Sequence, residues 1–180
     1  MPQITIILTL ILSYLIPLYV SANNECIQLS EVSEEYPPAL CPDGFVVKGI
    51  QCKGGYCDNK ILTCCPYMPD SNVDNNVISQ SWSEYFSEEP PNQYTTDGFI
   101  SGLACNGKLC DNISLRTFTS SSLKNIGQCY FGPSFSEENN GHYECRHDFY
   151  MSGLWCRGGY CDNISLYCCR AKLTIGISNK

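Results

Sequence analysis

The sequence is poor in what catalysis and nucleic-acid binding require. Its only two histidines, His142 and His147, both flank Cys145. No serine or free cysteine is set near a base in a recognisable pattern, so no catalytic residue is expected. Basic residues are scarce, with 11 Lys and Arg against 18 Asp and Glu, a net charge of -7 and no basic run. That balance argues against nucleic acid and against simple electrostatic docking on anionic lipid. Beyond Val20 no stretch approaches the roughly 20 apolar residues that span a bilayer. No cofactor is expected.

One apolar run is present, at the start. Ile4 to Val20 followed by Val20-Ser21-Ala22 reads as a secretory leader over residues 1–22 with a small-residue cleavage site. Removing it leaves 158 of the 180 residues, residues 23–180, as one domain with all 14 cysteines. Cysteine at about 9 per cent of a secreted chain reads as a disulfide scaffold, so a secreted, extracellular protein is expected.

The cysteines fall into a unit written three times. Gly49-x-x-Cys52-x-Gly54-x-x-Cys57-Asp58-Asn59 returns from Gly102 and again from Gly153, giving repeats over 26–65, 78–118 and 129–169. Each repeat opens with a lead holding Ser33-Glu34-Glu35, Ser87-Glu88-Glu89 or Ser136-Glu137-Glu138. These glutamates read as neighbours on a solvated loop. Pro37-Pro38, Pro90-Pro91 and Asn139-Asn140-Gly141 are turn chemistry, so each lead should fold back before the next strand.

Comparing the copies pairs the cysteines. The first and third repeats have six each, while the second keeps only Cys105 and Cys110. Cys105 should therefore bond Cys110, and by analogy Cys52 bonds Cys57 and Cys156 bonds Cys161. Neighbouring strand residues point to opposite faces, so Cys64 and Cys65 take different partners from Cys26 and Cys41. Cys168 and Cys169 likewise share Cys129 and Cys145, in an order the sequence leaves open. Cys-x4-Cys also suits zinc, but a site needs four ligands and the second repeat supplies two, so no metal is expected.

The stretch before each motif alternates as a strand: Val46, Lys48, Ile50 and Cys52 on one face, Val47, Gly49 and Gln51 on the other. Its mid-strand glycine signals a bulge or a close backbone approach. A glycine loop and a return strand follow, making a hairpin. A 40-residue repeat is too small to bury its own core. Three hairpins around a pseudo-threefold axis, as the sides of a β-prism, fit best; a β-trefoil is the alternative, and independent beads a third arrangement. The fold class is all-β, and a monomer is expected. The segments 66–76 and 119–127 read as linkers, and Leu173 to Ile177 as a closing strand.

Asp58-Asn59, Asp111-Asn112 and Asp162-Asn163 have the chemistry for calcium or sugar. Present in every copy while the loop before them varies, they read instead as turn framework. Asn112 and Asn163 also stand in glycosylation sequons. Aromatics are the better functional lead. Trp155 takes the position held by Gln51 and Ala104, and Tyr56 and Tyr160 sit on glycine loops. Rigid amphipathic rings of this kind stack on sugars, enter membrane interfaces or anchor protein contacts. The lead aromatics Trp82, Tyr85, Phe86, Tyr130, Phe131 and Phe135 read as core plugs.

The pattern Ser-Glu-Glu, Cys, Gly-x-x-Cys-x-Gly-x-Tyr-Cys-Asp-Asn resembles a repeat of secreted cysteine-rich proteins of microbes and invertebrates. Over Cys26 to Cys169 the architecture is similar to the β-prism of apicomplexan perforin-like proteins, which that family uses to contact membranes. The resemblance includes no pore-forming domain and so implies attachment without lysis. The sequence thus leads to a non-enzymatic adhesion or binding module for a glycan, a membrane surface or an extracellular protein. A structural matrix component is the alternative, and a hydrolase or hydrolase inhibitor ranks last.

Overall fold

The computed structural model describes residues 25–67, 77–121 and 123–173. The leader expected over 1–22, most of the first linker and the tail beyond Leu173 lie outside them. Twelve strands are described. The first repeat gives β1 (Ile27–Gln28), β2 (Ala39–Leu40), β3 (Phe45–Lys53) and β4 (Asn59–Pro66). The second gives β5 (Val77–Trp82), β6 (Gln93–Thr95), β7 (Phe99–Asn106) and β8 (Asn112–Ser120). The third gives β9 (Leu123–Phe131), β10 (His142–Glu144), β11 (Phe149–Arg157) and β12 (Asn163–Leu173). The stretch expected as a second linker is thus largely strand.

Three four-stranded sheets form, and each is built from two repeats. Their orders are β1-β4-β3-β10, β5-β8-β7-β2 and β9-β12-β11-β6. A hairpin occupies the middle, the first strand of the same repeat covers its return strand, and a visiting strand from another repeat covers its outgoing strand. The first repeat lends β2 to the second, the second lends β6 to the third, and the third lends β10 to the first. The turns therefore fold each lead back onto a neighbour's hairpin and not onto its own. This closed exchange gives three prism sides; neither a trefoil nor separate beads forms.

A bulge in each outgoing strand makes the exchange fit. The ladder skips a residue between Val47 and Gly49, between Ile100 and Gly102, and between Met151 and Gly153. The extra residues are Lys48, Ser101 and Ser152, and their carbonyls accept from the N–H groups of Cys145, Cys41 and Thr96 on the visiting segments. The following glycine meets the visitor's backbone: a Cβ on Gly153 would lie 2.2 Å from the Tyr94 carbonyl oxygen, and on Gly49 2.8 Å from that of Tyr143. Any side chain there would push the visitor off. The bulge also breaks the expected alternation. Val47, Ile50 and Cys52 all enter the main core, and Val46 joins a second cluster with Phe99, Phe118 and Tyr67.

The main core is common to the three repeats, with Val47, Ile50 and Leu62 meeting Ile100, Leu103 and Leu115, and Met151, Leu154 and Leu166. Each such side chain contributes about 1.5–3 kcal/mol on burial, which a lone repeat could not collect. Val32, Phe86 and Phe135 plug equivalent positions beside Lys60, Ile113 and Ile164.

All fourteen cysteines are paired. The short bridges are Cys52–Cys57, Cys105–Cys110 and Cys156–Cys161. Cys26 bonds Cys65 and Cys129 bonds Cys169, each tying the edge at the start of a repeat to the adjacent return strand of the same sheet. Cys41 bonds Cys64 and Cys145 bonds Cys168, and these four face the main core. Because Cys41 and Cys145 end visiting segments, their bridges staple one sheet to the next. At the third seam Thr96 and Thr117 hold the corresponding register positions, and the Tyr94 hydroxyl lies 2.9 Å from Thr117 Oγ1 instead. Seven disulfides are typical of extracellular proteins.

Candidate binding surfaces

At the closed ends of the hairpins three short 3₁₀ turns, Gly55–Cys57, Lys108–Cys110 and Gly159–Cys161, meet around the axis. Each is entered by a glycine at φ near +70°, and a Cβ on Gly54 would lie 2.0 Å from Asp58 Oδ1. The aspartate is steadied by its neighbour, since Asn59 Nδ2 donates to Asp58 Oδ1 at 2.9 Å and Asn163 Nδ2 to Asp162 Oδ1 at 2.9 Å. Asn112 bonds Asp111 in the same way. The sequon asparagines Asn112 and Asn163 are half-buried in these turns, and Ser114 and Ser165 are buried. Among the described residues no group of His, Cys, Asp and Glu is arranged to hold a metal ion.

Tyr56, Leu109 and Tyr160 all adopt left-handed backbone, as do the cysteines after them. That conformation costs a non-glycine residue roughly 1–2 kcal/mol and needs a partner to hold it. A glutamate of the lead supplies it. The Leu109 N–H donates to Glu34 Oε1 at 3.0 Å, the Tyr160 N–H to Glu88 Oε1 at 3.2 Å and the Tyr56 N–H to Glu137 Oε1 at 2.5 Å. The donors and acceptors follow the same rotation as the visiting strands. The first glutamate of each Ser-Glu-Glu is thus a clamp between repeats, where the sequence suggested a solvated loop. Such charge-assisted bonds are stronger than neutral ones.

Under the turns lies a residue that sequence reasoning passed over. Lys60 is fully buried where the other repeats place Ile113 and Ile164. Its Nζ donates to the Cys57 carbonyl at 2.6 Å and lies 3.2 Å from Cys110 Sγ. Burial pulls its pKa down from 10.5 to about 8, against the opposing pull of Asp58, Glu34 and Glu137. The signal was legible: one copy has lysine where two have isoleucine.

Two aromatic surfaces result. At the apex Tyr56 and Tyr160 pack edge to face at 5.6 Å, 51% and 36% exposed, with Lys108 Nζ 5.8 Å from the Tyr160 ring. Trp155 belongs to a different place, the outer face of the third sheet. Phe131 lies 5.6 Å from Trp155 and 4.8 Å from Tyr167, and the Arg157 guanidinium stacks 3.4 Å from the Trp155 ring centre. Trp155 is half-buried in this cluster, and its Nε1 is buried without a hydrogen-bond partner. Phe131 is the more open ring, at 38%. Tyr167 continues the patch into a polar groove lined by Thr95, Thr96, Asp97, Asn125 and Gly127.

The other sheets serve as internal controls. By strand register the positions of Phe131, Tyr167 and Trp155 hold Gln28, Thr63 and Gln51 in the first sheet and Trp82, Arg116 and Ala104 in the second. Of the lead aromatics, Phe86 and Phe135 do plug the core, whereas Trp82, Tyr85 and Phe131 are exposed and Tyr130 is half-buried. His142 lies on β10, and His147 is exposed beside Asp148 at 3.0 Å. Comparison with protein-family models, with curated proteins and with solved structures finds no match to this chain.

Proposed function

We propose that the protein is a secreted, non-enzymatic binding module and that the outer face of its third sheet is a glycan-contact surface. The supporting observation is the Phe131, Trp155 and Tyr167 cluster with Arg157, on a scaffold whose first sheet has no aromatic at those positions and whose second has only Trp82. A pyranose ring has an apolar C–H face and polar edges. Open aromatic rings match the first, and the guanidinium and the adjoining threonine and asparagine groups match the second. The rings sit on paired strands in a bridged sheet, so little conformational entropy is lost on binding.

The test is a glycan array and polysaccharide pull-down with wild type, Phe131→Ala and Trp155→Gln, the latter carrying the first sheet's own residue. Binding by wild type that falls at least tenfold in both variants is expected. Absence of wild-type binding to every glycan removes the reading. A liposome arm, with Tyr56→Ala beside wild type, covers the membrane attachment that the resemblance to the perforin-like prism implies. The second reading, a durable matrix component, is favoured by the closed strand exchange and the seven bridges; it predicts no glycan or lipid binding at all.

A further inference from the structure

The three short bridges close loops of equal length, yet they do not share one environment. Two independent asymmetries fall on the same one. Cys52 and Cys156, the outer cysteines of their bridges, are 3% and 0% exposed, whereas Cys105 is only partly buried. On the inner side, Cys57, Cys110 and Cys161 are all fully buried, but only Cys110 has a lysine ammonium against its sulfur, Lys60 Nζ at 3.2 Å. By the rotation of the repeats, the residues corresponding to Lys60 are Ile113 and Ile164, which carry no charge.

We infer that Cys105–Cys110 is a thiol-responsive bridge, opened by small thiols or dithiols in preference to the other two short bridges, Cys52–Cys57 and Cys156–Cys161. Exchange needs an accessible sulfur to attack and a good leaving thiolate, and this bridge has one of each at its two ends. An external thiolate attacks Cys105 Sγ, a new bond forms between the two sulfurs, the Cys105–Cys110 bond breaks, and Cys110 departs as a thiolate facing the Lys60 ammonium. A second thiol then attacks the mixed disulfide, releases the external disulfide and leaves Cys105 as thiolate; two electrons pass from two thiols in all. A cation beside the leaving sulfur lowers its pKa and speeds departure. At pH 7 the lysine, with its pKa near 8, is protonated and serves this role.

The consequence is local. The second repeat has no other bridge, so its turn at Lys108–Cys110 would then keep its left-handed backbone with only the Glu34 clamp on Leu109 to hold it. One third of the apex is thereby released while the two sheet-to-sheet staples, Cys41–Cys64 and Cys145–Cys168, remain.

The experiment is timed treatment of the native protein with glutathione, quenching by alkylation and peptide mapping, for wild type and Lys60→Ile. In wild type, Cys105 and Cys110 should be modified before the cysteines of the other two short bridges, with glutathione trapped on Cys105 and the alkyl group on Cys110. In Lys60→Ile the rate at this bridge should drop severalfold, because the departing Cys110 thiolate loses the cation that lowers its pKa. Earlier opening of Cys52–Cys57 or Cys156–Cys161, glutathione on Cys110, or an unchanged rate in a folded Lys60→Ile protein would each overturn the inference. The order and the site of trapping are read on wild type, so they decide the matter even if the variant misfolds.

Discussion

Replacing Lys60 by isoleucine, the residue its two counterparts use, should stabilise the protein at neutral pH. The ammonium's pKa falls from 10.5 to about 8 on folding, because burial outweighs the attraction of Asp58, Glu34 and Glu137. At 1.36 kcal/mol per unit, holding the charged form inside costs roughly 3 kcal/mol. Isoleucine removes that cost but leaves the Cys57 carbonyl without its donor, which takes back about 1–2 kcal/mol. The net expectation at pH 7 is a gain of about 1–2 kcal/mol. The pH dependence gives a sharper test. Between pH 8 and 10.5 the unfolded chain keeps a proton that the folded chain has released, so wild-type stability rises with pH across that window. Relative to Lys60→Ile, wild type should gain about 1 kcal/mol from pH 7 to pH 9. Urea unfolding with disulfides intact, at pH 7, 8 and 9, measures both quantities. A variant less stable than wild type at pH 7, or one whose stability runs parallel to wild type over the series, refutes the reasoning.

Two more substitutions test the devices that join the repeats. Glu137→Ala should cost about 1–2 kcal/mol in urea unfolding, because the Tyr56 N–H loses its acceptor, and Glu137→Gln should restore part of it by keeping a carbonyl oxygen at that place. Thr96→Cys with Thr117→Cys should form the missing sheet-to-sheet staple, since these residues stand at the register positions of Cys41 and Cys64. Mapping under non-reducing conditions should find the new bridge, and unfolding should show a gain of about 2–4 kcal/mol; free thiols at both positions would mean the third seam is built differently from the other two.

Structure whose cause is local is legible in the sequence. The threefold repetition, the strand before each Cys-x4-Cys, the glycine turns and the all-β class follow from spacing that acts within about 20 residues. The Asp-Asn pairs were legible as turn residues for the same reason, since their partners are adjacent in the chain. The alternation expected of Val46 and Val47 fails because a bulge is fixed by what docks beside it, here the backbone of β10. Trp155 was singled out by comparing copies, but its half-burial under Arg157 and Phe131 depends on a strand from 24 residues earlier lying across the sheet.

The sequence by itself determined that three small hairpin units share this chain, that none could bury a core alone, and that fourteen cysteines divide into six, two and six. The tertiary structure alone decided how the units join. Each visiting strand could satisfy its hydrogen bonds on its own hairpin or on a neighbour's, and local sequence is silent between the two. Closure chooses: only the exchange from first to second, second to third and third to first places Glu34 beside Leu109, Glu137 beside Tyr56 and the Lys60 ammonium beside Cys110. Those contacts depend on how three repeats pack around one axis, so they are properties of the assembled prism and of no single repeat.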